Sequence, residues 1–121
     1  MKKIIIITIV LIICQMNLIG ASIGETVSLK GYEIMPQGKP VAIVAVKPHI
    51  IEAIVYEMEK NSLSGIFNYV KDERATFLPD GTRAKVIQFT RTDKRNLSCA
   101  QVEVLEGDLR GYKVWTLLNQ D

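Results

Sequence analysis

Two side chains could pair as nucleophile and base: Cys99 and His49, a thiol and an imidazole set far apart in the chain. Such a pair works only in hydrogen-bond contact and generally needs a third group to orient the base. Neither residue sits in a local signature of that kind. A buried cysteine and an exposed histidine at a helix start are therefore expected. A metal site needs several His, Cys or carboxylate ligands at set spacing, and none is present, so neither metal nor cofactor is expected. Gly107 and Gly111 flank a hairpin turn and do not open a helix, so they form no phosphate loop. Glu106 and Asp108 lie in that same turn, where solvation accounts for them better than paired acid–base work. The chain is expected to be non-catalytic.

What remains could bind. Trp115, the single tryptophan, is a large ring with one polar edge, suited either to plugging a core or to lining a groove. Tyr112 stands three positions before it. Arg91, Lys94 and Arg95 form a basic loop around Asp93, able to meet an anionic polymer or an acidic patch, or simply to be solvated. Tyr112, Trp115, Arg91 and Arg95 are the candidate ligand-binding residues.

The elements that must position them follow an N-terminal segment of a different kind. Lys2 and Lys3 precede an apolar run from Ile4 to Ile13, and Leu18–Ser22 supplies small residues. That is the pattern of a secretory signal peptide, with the best cleavage after Ser22 and a second option after Gly24. Residues 4–20 read alternatively as an uncleaved membrane anchor, somewhat short of a full span. Leu11–Cys14 reads alternatively as a lipidation site, although Ile13 is large for the residue before such a cysteine. The full chain has 15 basic and 13 acidic residues. Losing Lys2 and Lys3 with the signal leaves 13 of each, so the remaining domain is formally neutral and lacks a nucleic-acid footprint. Cys14 would leave too. Cys99 would then be alone, unable to form an intramolecular disulfide, and either buried, paired between chains or reactive.

Residues 23–40, punctuated by glycine and proline, read as a linker or loosely docked arm in which Val27–Leu29 and Tyr32–Ile34 could make short extended pieces. Residues 41–73 read as a helical segment led by a β-branched run, Val41–Val46, which suits a short strand buried on both faces, a helix start being the alternative. Pro48 suits a first helical position. From His49 to Lys60, Ile50, Ile54 and Met58 stack with Ile51 and Val55 into a broad apolar face. A shorter helix follows, capped by Ser62 or Ser64. From residue 74 the period changes. Ala75–Leu78 is extended, and Pro79-Asp80-Gly81 is a turn. Arg83–Phe89 is a strand with Ala84 and Val86 on one face and Ile87 and Phe89 on the other. Thr90–Leu97 is a loop. Ser98–Leu105 and Tyr112–Leu117 are strands joined by the Gly107/Gly111 turn.

Three pieces of this last region, Gly81-Thr82-Arg83-Ala84-Lys85-Val86-Ile87, Val102-Glu103-Val104-Leu105-Glu106-Gly107 and Gly111-Tyr112-Lys113-Val114-Trp115, together resemble a bacterial SH3-like barrel. Val114 stands where that pattern often has glycine, and Thr116 where it has valine. The resemblance implies an α+β chain: a small SH3-like barrel over residues 74–121, preceded by one or two helices and a signal peptide over residues 1–22. It also implies an exported, periplasmic or extracellular, non-catalytic binding or scaffolding module of the cell envelope, whose ligand is a cell-wall peptide or a protein segment. The Val-Leu-Glu-Gly turn also resembles the KOW motif, which would imply a nucleic-acid or ribosome-associated domain, against the neutral charge and the export signal. A further alternative is a small structural subunit of an envelope assembly, burying the helix His49–Lys60 against a partner.

Overall fold

The structure, a computed structural model, describes residues 22–34 and 38–117. The signal, anchor and lipidation readings concern a segment outside these residues. No helix among them is long and apolar enough to cross a membrane. The described chain is α+β, with two helices and six antiparallel strands. In order these are β1 (Thr26–Ser28), β2 (Val41–Ala45), α1 (Pro48–Glu59), α2 (Leu63–Lys71), β3 (Ala75–Pro79), β4 (Arg83–Arg91), β5 (Ser98–Val104) and β6 (Lys113–Leu117).

Local chemistry sets the helices. Pro48 occupies the first turn of α1, where its fixed φ fits and its missing N–H is no loss. Ile50, Ile51, Ile54 and Met58 are buried along one stripe. Asn61 then takes a left-handed conformation, φ 56°, and stops the helix. The Ser62 hydroxyl accepts the Gly65 N–H at 3.2 Å and starts α2.

The strands form one open sheet in the order β1-β4-β5-β6-β2-β3. β2, the β-branched run read as a doubly buried strand, lies between β6 and β3. β1 comes from the segment read as an arm, and Leu29, Tyr32 and Ile34 beyond it are buried. Residues 23–34 are thus built into the sheet and core rather than loosely attached. In a flat sheet four strand spacings, about 19 Å, would separate β3 from β4. The chain from Pro79 to Arg83 can span at most about 14 Å. The sheet must therefore curl. Small side chains permit it: Ala42, Val44, Ala84, Val86, Ala100, Val102, Val104 and Val114 make one continuous cluster on the inner face. The opposite face of β2, β3 and β6 carries Ile43, Ala45, Ala75, Phe77 and Trp115, packed under the helices.

Residues 29–34 cross the end of the curl. The Leu29 N–H donates to the Thr82 carbonyl (2.8 Å), and the Leu29 carbonyl accepts the Gly81 N–H (2.7 Å). Asp80 Oδ1 accepts the Gly31 N–H at 2.7 Å. A Cβ on Gly31 would lie 2.8 Å from backbone atoms of Pro40 and Val41, so only glycine allows this crossing.

One alternation differs from the sequence expectation. Val86 pairs with Val102, but Gln88 pairs with Gln101, so Ile87 is the extra residue of a β-bulge. Phe89 therefore falls opposite Ala100, on the same face as Ala84 and Val86 and not with Ile87. The strand also runs on to Arg91, which shortens the expected loop.

Candidate functional site

The four candidate residues lie in separate places. β5 runs for about 20 Å between two differently built ends. The loop at residues 92–97 enters it, and the hairpin that carries Tyr112 leaves it.

At the first end, Glu52 of α1 reaches the loop. Its carboxylate, only 8 % exposed, accepts the Thr92 hydroxyl at 2.6 Å and the Arg95 N–H at 2.5 Å. Thr92 Oγ1 in turn accepts the Leu97 N–H at 2.9 Å, closing the loop on itself. Burial opposes charge on Glu52, but these two hydrogen bonds and the nearby Lys94 and Arg95 hold its carboxyl below the ordinary value of 4.5. The Arg95 guanidinium donates to Glu59 at 2.8 Å, and Arg91 Nη1 donates to the Asn96 carbonyl at 2.8 Å. Both arginines are thus engaged in holding the loop. Cys99 begins the core just beyond it. Its thiol is fully buried, and burial together with the Glu52 charge pushes its pKa up to about 12. A thiol so protonated and enclosed is a poor nucleophile. His49 is exposed at the start of α1, where the sequence placed it. Among the described residues no group of three or more His, Cys, Asp or Glu side chains is placed to hold a metal ion.

At the second end the sheet splits. β2 pairs with β6 only through Val44–Thr116 and Ala45–Trp115. Beyond Ala45 the chain makes no further pair with β6, while on its other side the Val46 N–H continues the β3 register by donating to the Arg74 carbonyl (3.0 Å). A cleft of about 270 Å³ opens there, walled by Val44, Val46, Ala75, Leu109 and Val114, with Glu73, Arg74 and Tyr112 at its rim. Tyr112 is 61 % exposed and Val46 49 %. The hairpin holds Tyr112 in place: Gly107 and Gly111 adopt φ of 80° and 89°, and the Gly111 N–H and Tyr112 carbonyl bond to Val104 at 2.7 and 2.9 Å. Arg74 lies over the Tyr69 ring (4.8 Å) and pairs with Asp72 (3.3 Å).

No known protein family, curated protein or solved structure matches the chain.

Trp115 faces away from this cleft. It is half-buried against the helix-side core, next to Gln101, which in turn accepts from Gln88 Nε2 at 2.7 Å. Tyr112 and Trp115 are three positions apart on one strand and fall on opposite faces. Trp115 packs against the helix-side core and stays partly exposed. The cleft is the place the sequence reading missed. Its walls come from three stretches distant in the chain, and the local signal for it was slight: a β-branched Val46 left between a strand and Lys47-Pro48.

Proposed function

We propose that this chain is an exported, non-catalytic binding module of the cell envelope, that its curled sheet is an SH3-like barrel, and that its ligand, a cell-wall peptide or a protein segment, enters the cleft at Tyr112. One observation carries this reading: an apolar cleft with an exposed tyrosine and an exposed valine at its mouth. Burying a large apolar side chain there would be favourable by about 1.5–3 kcal/mol. Tyrosine at the rim suits recognition, since it offers broad contact area and a hydroxyl at little entropic cost. Export is supported by the basic, apolar and small-residue order of residues 1–22. The barrel is supported by the curl that the short β3–β4 connection imposes.

The test is photo-crosslinking in cells. A benzophenone amino acid replaces Tyr112 in one version of the full chain and Arg91 in another. Adducts specific to position 112, containing a wall fragment or a polypeptide, are expected. No adduct at 112, or the same adducts from both positions, would refute the reading.

A further inference from the structure

We propose that the ligand is a protein segment in extended conformation, added as a short strand to the free end of β6 with an apolar side chain in the cleft and an acidic residue beside it. This rests on the cleft being the binding site.

The backbone supplies the first reason. In an antiparallel ladder, successive residues direct their N–H and C=O to opposite sides. The Tyr112 carbonyl accepts the Val104 N–H of β5, so Lys113 directs its N–H and C=O toward β2. But β2 has already left: its last β6 pair is Ala45–Trp115. The Lys47 carbonyl accepts the Ile50 N–H at 3.1 Å as α1 begins. Lys113 sits opposite Glu103 in the β5–β6 ladder, but among the described residues no strand pairs with it on the β2 side. β6 thus ends in a short open edge inside a cleft, which is the arrangement that an incoming strand completes.

The side chains supply the second. Tyr112 and Val114 flank Lys113 on one face, Leu109 of the same hairpin lies beside them, and Val46 lines the cleft from the β2 side. A strand laid beside β6 turns alternate side chains to that face, and one large apolar group fills the space between these four. Charge supplies the third. Lys47 and Lys113, both exposed, stand on the two banks of the split, and neither has an ion-pair partner among the described residues. Arg74 at the rim is offset by its neighbours Asp72 and Glu73. Glu103 stands beside Lys113 in the β5–β6 ladder but makes no ion pair with it. The two lysines favour an acidic residue flanking the apolar anchor, through attraction that salt weakens.

The test selects phage-displayed random short peptides on the full chain and then N-methylates the best synthetic peptide one amide at a time. Enriched sequences are expected to place Asp or Glu next to an apolar residue. Methylating one amide, and separately Lys113→Glu, should each weaken binding by about tenfold. Tyr112→Ala should do the same while leaving the circular dichroism spectrum unchanged. Peptides that depend on Tyr112 but tolerate every methylation, or lack the acidic residue, would overturn strand addition and leave the cleft reading intact. Peptides indifferent to Tyr112→Ala, or no enrichment at all, would overturn both.

Discussion

The two ends of β5 carry similar kinds of residue and dispose them in opposite ways. Both ends are loops with charged side chains near a helix terminus. At residues 92–97 the polar groups turn inward: Glu52 meets Thr92 and Arg95, Arg95 meets Glu59, and Arg91 meets the chain itself. At the Tyr112 end β2 parts from β6 early while staying paired with β3, and an apolar cleft opens between them. The basic loop thus has its arginines engaged within the fold. Charges already satisfied inside the fold contribute to stability, and groups left over are available to a ligand.

Substitutions at the two ends should separate these uses. The largest effect is expected from Glu52→Ala, which strips the Thr92 hydroxyl and the Arg95 N–H of their buried acceptor and should cost about 3 kcal/mol in urea unfolding. Gly31→Ala forces a Cβ against the Pro40–Val41 backbone and should cost about 2 kcal/mol. Ser62→Ala removes the α2 cap and should cost about 1 kcal/mol. Tyr112→Ala should change stability by less than about 0.5 kcal/mol, because its ring is mostly in solvent. Equal losses from Glu52→Ala and Tyr112→Ala would erase the contrast.

Acid sharpens it. The folded-state pKa of Glu52 lies below its ordinary 4.5. Its stabilisation is thus fully present above that value and lost as the pH falls through the folded pKa. Urea midpoints should drop below about pH 4.5, and Glu52→Gln should flatten that part of the curve.

The sequence revealed what is local. Pro48, the Ile50–Ile54–Met58 stripe and the Ser62 cap mark α1 and α2 because each acts within one or two turns. Gly107 and Gly111 mark the last hairpin for the same reason. The sheet order was not legible, since β2 reaches β6 from some seventy residues away by the Ala45–Trp115 pairing. Neither was the role of residues 23–34, whose glycines look like linker punctuation until Gly31 is seen crossing the Pro40–Val41 backbone. The Ile87 bulge is invisible in an alternation count, which it shifts by one. Of the candidate site residues, Tyr112 could be placed on an exposed hairpin from local turn chemistry. The partners of Arg91 and Arg95, Asn96 and the carboxylates of α1, were not legible because they are fixed by tertiary contact.

The central claim is that ligand meets the Tyr112 end and not the Glu52 end. It is tested most directly by titrating the isotopically labelled chain with a selected peptide and following its amide NMR resonances. The expected shifts centre on Val46, Arg74, Leu109, Tyr112 and Lys113, with residues 92–97 unmoved. Shifts centred on residues 91–97, or on the Gln88–Gln101–Trp115 face, would contradict the account.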